Sequence, residues 1–337
     1  MPFSSLIGNE RIKKLLQRAV AEGRVGQSLL MAGPRGVGKY QFAIALAQAL
    51  NCEHATQGDA CGECVPCGKI ERREHGDVRI LMRESKDPSI KKDHKSQFIK
   101  IEQTRAMSEQ AQFRPYEGRR RVFIIDEAEC LQHQAANSLL KTLEEPPPTS
   151  LVVLVTSKPY SLIETIRSRC LMLSFAPLRA EEIEEHLRVK ANRPIDEARL
   201  LARLARGSIG HALEIDIGEY REMRNTVLQI IETLSLEREV TALLGASEYL
   251  GRRLEKDAFE EHLDTLILLF DDLFHLKLNG SDESLTNADI ADRLRRVAEN
   301  ITIEQIMEWV DRIEVIFRAL PRNINRQLAM DSMLITG

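Results

Sequence analysis

The chain has 337 residues, a formal net charge of −4 and a pI near 6.1, enough length for two or three domains with real cores. The acidic balance argues against binding nucleic acid over the whole surface, while leaving room for a local basic patch. No long apolar run occurs and Met1–Ser5 carries no basic-then-apolar signal, so a cytoplasmic protein without a membrane span is expected.

Phe3 to Glu10 followed by Arg11 to Val20 reads as a capped amphipathic helix, broken at Gly23–Gln27. Ser28–Ala32 is an apolar strand. The glycine-rich stretch Gly33-Pro-Arg-Gly-Val-Gly-Lys-Tyr40 comes next, then the helical pattern Gln41–Leu50. Beyond four clustered cysteines, a polar region from Lys69 to Lys100 holds a strand at Asp77–Leu81 and an irregular loop at Glu84–Lys95. Ile99–Glu109 resumes helix, and Arg119–Glu127 is a buried strand ending in two acids. Gln134–Leu143 is a helix closed by Glu144-Glu-Pro-Pro-Pro148, since consecutive prolines cannot continue it. Ser150–Thr156 is a fully apolar strand, Ser161–Arg169 a helix and Cys170–Phe175 a short strand. Such alternation predicts one doubly wound α/β domain ending near Phe175. Past Pro177 the pattern is helical, at Ala180–Lys190, Asp196–Ala205, Glu219–Leu278 and Thr302–Leu320, with only Gly280–Thr286 plainly loop. No cluster of acid, base and nucleophile stands out there.

A strand, a glycine loop and a helix are the context a phosphate-binding loop requires. Gly33, Gly36 and Gly38 let backbone N–H groups converge on an anion, and Lys39 is placed to meet the outer phosphates. The pattern breaks after the lysine, where a Mg²⁺-ligating Ser or Thr belongs and Tyr40 stands. Asp126 and Glu127, at the end of an apolar strand, occupy the places of the acids that support Mg²⁺ and position water in phosphate-loop ATPases. Together these elements predict the fold of a nucleotide ATPase, with Tyr40 arguing against turnover. Thr156-Ser-Lys-Pro159 and Ile166-Arg-Ser-Arg-Cys170 place basic residues beside the same sheet, as surface charge or as reach toward a neighbour's phosphate.

Cys52, Cys61, Cys64 and Cys67 give two overlapping C-x₂-C steps plus one further thiolate. Four thiolates close a tetrahedral shell with no open position, which reads as structural Zn²⁺. An iron–sulfur cluster and simple buried thiols are the alternatives. His54 and His75, nearby, read as solvated. Arg119-Arg-Arg121 and Lys91-Lys-Asp-His-Lys95 are basic clusters without aromatic interleaving, so they read as charged surface rather than a base-reading device.

The glycine loop, the four-cysteine insertion, Ile124-Ile-Asp-Glu-Ala-Glu129, Ala135–Pro147 and Ser168-Arg169-Cys170 resemble the delta-prime family of bacterial DNA polymerase III clamp-loader subunits, within the AAA+ superfamily. The resemblance is dense from Leu6 to Phe175 and weaker through Gly207–Leu213 and Asn323–Ala329. It implies an α/β AAA+ P-loop NTPase-like domain at 1–176 with a zinc-knuckle insertion at about 52–67. A small helical lid domain at 177–215 and a helical collar domain at 216–337 follow. It also implies that Arg169 acts as an arginine finger in trans at the ATP site of an adjacent gamma/tau-type subunit. Gly33, Gly36, Gly38, Lys39, Asp126 and Glu127 would then form a degenerate site where ATP or ADP binding is in question. His211 stands where active relatives carry a second, arginine phosphate sensor. The implied partners are gamma/tau-type and delta subunits in a five-subunit assembly, the sliding clamp, and primer–template DNA bound without sequence preference. The isolated chain is expected to be a monomer. The rival expectations are an active gamma/tau-like ATPase and a free-standing zinc-containing DNA-binding protein.

Overall fold

The computed structural model describes residues 1–83, 98–237, 239–280, 282–322 and 324–335. The irregular loop Glu84–Lys95, with its Lys91–Lys95 cluster, lies outside the described residues. The strands follow the apolar runs closely: β1 Ser28–Ala32, β2 Val78–Leu81, β3 Arg121–Ile125, β4 Ser150–Thr156 and β5 Leu171–Ser174. They form one parallel sheet in the order β2-β3-β4-β1-β5, with Leu30 paired to Leu154 on one side and Met172 on the other. Successive strand residues point to opposite faces. Leu29, Met31, Val122, Ile124, Leu151 and Val153 therefore pack in one apolar cluster, and Leu30, Phe123, Ile125, Val152 and Leu154 in another. A central strand buried on both faces has to be apolar throughout, and β4 is buried at every position.

Helices α1 Glu10–Ala21, α2 Lys39–Asn51 and α3 Val65–Glu71 belong to the first cluster's face, whereas α4 Ile101–Ala111 and α5 His133–Glu144 cover the second. The expected cap on α1 is not made. Asn9 sits in the left-handed region, and its amide instead exchanges hydrogen bonds with the Ala176 backbone, at 3.2 and 2.9 Å. The expected helix at Ser161–Arg169 shrinks to a 3₁₀ turn at Pro159–Ser161 and one α-turn, α6 Glu164–Arg167. Further on come α7 Ala180–Val189, α8 Ile195–Leu204 and α9 Ile209–Glu214.

Residues 217–335 hold α10 Ile217–Glu232, α11 Val240–Glu248, α12 Lys256–Asn279, α13 Ala291–Asn300, α14 Ile303–Ala319 and α15 Arg326–Ile335. The chain divides into two compact units, Met1–Asn192 with Ala205–Glu214, and Arg193–Leu204 with Ile215–Gly337. Helices α7 and α9 thus belong to the unit with the sheet and α8 to the other. The helical unit has its own apolar core, in which Phe270 of α12 stacks on Trp309 of α14 at 6.4 Å. It also buries a polar network the sequence did not announce. Asn287 accepts from Tyr220 and Arg224 and donates to Asp272, and Arg224 makes a two-point pair with Asp289. Each of these side chains has a partner, as burial demands.

Candidate nucleotide cleft and metal centre

The loop between β1 and α2 is built on glycines for steric reasons that can be named. A Cβ at Gly33 would lie 2.5 Å from the Phe175 carbonyl oxygen. At Gly36, where φ is +73°, a Cβ would lie 2.0 Å from Ser208 Oγ. The start of α9 closes on the loop, with Gly210 N–H donating to the Gly36 carbonyl at 3.0 Å. The loop opens into a cleft of about 560 Å³ at the carboxyl ends of the parallel strands, lined among others by Arg35, Gly38, Lys39, Asp126, Glu127, Glu129 and Lys158. This is where ligands bind in open α/β sheets.

Within that cleft the expected residues come together, but most are engaged. Lys39 is buried and its ammonium donates to the carbonyls of Gly33 and Pro34, at 2.8 and 2.5 Å. Burial pulls its pKa down, opposed by the charges of Glu129 and Asp126. Tyr40 turns its ring under the Arg73 guanidinium, 5.5 Å from the centroid, and burial pushes the phenol up. A bulky phenol is no substitute for a small metal-ligating hydroxyl, so the residues present do not fit the usual Mg²⁺ site of a phosphate loop. Asp126 is pushed up by burial and by the neighbouring Glu127 and Glu129 charges. Glu127, at φ +49°, is held by Arg83 through two hydrogen bonds of 2.6 Å. Sequence reasoning missed Arg83, which follows β2 with no motif around it. It also missed Glu129, which accepts from Ser157 Oγ at 2.6 Å.

At the other end of α2, Cys52 is the C-terminal cap. The sulfurs of Cys52, Cys61, Cys64 and Cys67 all lie within 4.8 Å of one another. A Zn–S bond of about 2.3 Å implies tetrahedral edges of about 3.8 Å, and Cys52 Sγ lies 3.5 and 3.8 Å from those of Cys61 and Cys64. Backbone N–H groups of Glu63 and Cys64 pull the Cys61 thiol down to about 6, whereas burial pushes the Cys52 and Cys67 thiols up, so a bound metal would have to displace their protons. In spacing the four donors fit a metal ion held in a closed shell. His54 is exposed as expected, but His75 is not solvated. It is buried, and its Nδ1 accepts from Asp77 N–H at 3.1 Å.

Arg169 does not line the cleft. It lies beyond α6, with its guanidinium 3.3 Å from the Glu144 carboxylate and donating to the Thr165 carbonyl at 3.1 Å. His211 is exposed on α9, outside the cleft lining. The basic triplet is only partly free surface, because Arg121 pairs with the fully buried Asp77 at 3.0 Å.

Residues 8–179 match the family model described as "DNA polymerase III, delta subunit", and residues 222–336 match the one for its C-terminal part. The chain belongs to the DNA polymerase III delta-subunit family. That bears out the kinship read from the glycine loop, the cysteines and the Ser-Arg-Cys motif. Among curated relatives of this family member, DNA polymerase III subunit delta' of Bacillus subtilis is 28% identical over 96% of the chain and 94% of the relative. The tau subunit of Escherichia coli is 30% identical over 99% of the chain, which spans 53% of that longer protein. A gamma-subunit-related protein of Thermotoga maritima superposes over 96% of the chain and 97% of its own, at 19% identity and a TM-score of 0.42. No helix among the described residues is long and apolar enough to cross a membrane.

Proposed function

We propose that the chain is a delta-prime-type clamp-loader subunit that does not hydrolyse ATP itself. It donates Arg169 to the ATP site of a neighbouring gamma/tau-type subunit, supplying positive charge where negative charge develops on the transferred phosphoryl group. With that subunit type and delta it forms a five-subunit loader that helps open the sliding clamp and place it on primer–template DNA. Contacts to DNA phosphates are nonspecific and salt-dependent. Residues 177–215 act as the lid and 216–337 as the collar holding the ring. The metal is structural Zn²⁺ on the four cysteines, and the setting is the cytoplasm. The observation that carries this reading is the cleft: Tyr40 replaces the metal-ligating hydroxyl while Arg83 occupies Glu127. The second reading, an active gamma/tau-like ATPase, draws on the intact Lys39 and on the 30% identity to tau.

ATPase and nucleotide binding of the isolated chain, repeated after mixing with gamma-type and delta subunits, separate the two. Robust turnover by the isolated chain, lost in Lys39→Ala, would overturn the proposal. In the mixed complex Arg169→Ala should assemble normally yet lower turnover at the one site it serves by about a thousand-fold. Unchanged activity would remove the finger assignment.

A further inference from the structure

The segment between α4 and β3 is fixed by an unusual density of side-chain-to-backbone hydrogen bonds. Asp77, fully buried, accepts from the N–H groups of Tyr116, Glu117 and Gly118, each at 2.8 Å, and from Arg121. Asn51 Oδ1 accepts from Arg119 and Arg120 N–H, both at 2.9 Å, and Glu117 accepts from Gly76 N–H at 2.7 Å. A loop held this way has already lost its backbone freedom. Yet it presents Phe113 and Tyr116 to solvent at 66% and 89% exposure. Large aromatics displayed on a rigid loop are preorganised for a partner.

The charges point to the kind of partner. The loop's acids are spent, Glu117 on Lys69 and Gly76, and Asp77 on Arg121 and the backbone. Among the described residues no acid forms an ion pair with Arg114, Arg119 or Arg120, so an acidic chain carries a locally cationic loop. Aromatic faces beside arginines match stacked bases joined by phosphates. The loop sits at the amino-terminal ends of the strands, since Asp77 precedes β2 and Arg121 opens β3. The cleft lies at the opposite ends, so the two do not compete for a ligand.

We propose that Phe113, Tyr116 and the exposed arginines Arg114 and Arg119, with half-buried Arg120 behind them, form a stacking platform for single-stranded nucleic acid, independent of the Arg169 assignment. A duplex keeps its bases inside and offers such a platform phosphates only. An apolar pocket on a partner protein is the competing occupant, and the uncompensated arginines favour the polyanion.

The test uses the full chain and fluorescence anisotropy with labelled oligothymidylate and a blunt duplex, at low and near-physiological salt. Oligothymidylate should bind more tightly than the duplex, with affinity falling as salt rises. Tyr116→Ala should weaken single-strand binding roughly ten-fold and spare the duplex, with Phe113→Ala weakening it further. Arg119→Gln should lower the salt slope by about 0.7, the value for one phosphate no longer neutralised on a single strand. Because both aromatics are exposed, an unchanged melting temperature checks that the variants fold. Equal binding of single strand and duplex would overturn the platform. So would wild-type single-strand affinity in the double aromatic variant, including the case where that variant instead fails to bind a partner subunit or the sliding clamp.

Discussion

Helix α2 joins two sites of opposite character. At its carboxyl end four residues of one type converge, each offering one sulfur within 4.8 Å of the others. At its amino end several residue types meet, and most have a partner within the chain: Lys39 on loop carbonyls, Glu127 on Arg83, Glu129 on Ser157. The four cysteines can close a metal shell, whereas the cleft combines a glycine loop and Lys39 with Tyr40 in the place of a small metal-ligating hydroxyl. What separates the two is the donor set, four like sulfurs at one end and, at the other, side chains largely paired with one another.

The largest expected effect comes from attacking the cysteine end. Metal analysis should find a single zinc, and chelation or Cys67→Ser should unfold residues 52–71, read as new protease cleavage in that stretch. Structural zinc sites contribute on the order of 10 kcal/mol to the folding of the small modules they hold, and the knuckle's own buried apolar residues are few. The helical unit, with a separate core, should keep its helicity. If the knuckle resisted cleavage with all four cysteines replaced, its metal would have no structural part.

A smaller effect is expected at Asp77, whose carboxylate ties down the loop before β3. Burial alone would raise its pKa, but the three N–H donors and Arg121 outweigh that and hold it below the usual carboxylate range. Asp77→Ala strands those donors and should cost about 3 kcal/mol or more in chemical denaturation. A depressed acid stabilises the fold above its unfolded pKa, and the contribution fades as pH falls through the folded value. The gap between wild type and variant should therefore be full at neutral pH and narrow below about pH 4. A gap that stayed constant into acid would show that the carboxyl group, not its ionisation, mattered, and one that widened would mean that the folded pKa is raised rather than lowered.

How far the sequence spoke follows the same division. Five apolar runs and their spacing were enough for the sheet, because strands buried on both faces leave no alternative to apolar residues. The cysteines were legible because donor identity and spacing nearly exhaust what a closed shell needs. The cleft was legible only as a backbone, since nothing near Arg83 signals that it grips Glu127 and nothing near Arg73 signals that it lies over Tyr40. The basic triplet was legible as charge but not in its surroundings, for a related reason. Viewed alone it lacks aromatics, but Asp77 and Asn51 fold it into one loop with Phe113 and Tyr116, and bury His75 beside it.

The smallest effect on stability, and the finest probe of the cleft, is Arg83→Ala. Both side chains of the Arg83–Glu127 pair are partly exposed, at 39% and 38%, so the cost should stay below about 1 kcal/mol. Freeing Glu127 should still leave the isolated chain without ATPase, because Tyr40 keeps the metal-ligating position blocked. Adding Tyr40→Thr supplies a small hydroxyl beside Lys39, and calorimetric titration should then detect Mg²⁺-dependent nucleotide binding that neither single variant shows. The two substitutions are thus expected to be non-additive, as for groups that share one ligand. If Arg83→Ala alone switched on phosphate release, the ion pair would be what silences the cleft and Tyr40 would be a bystander.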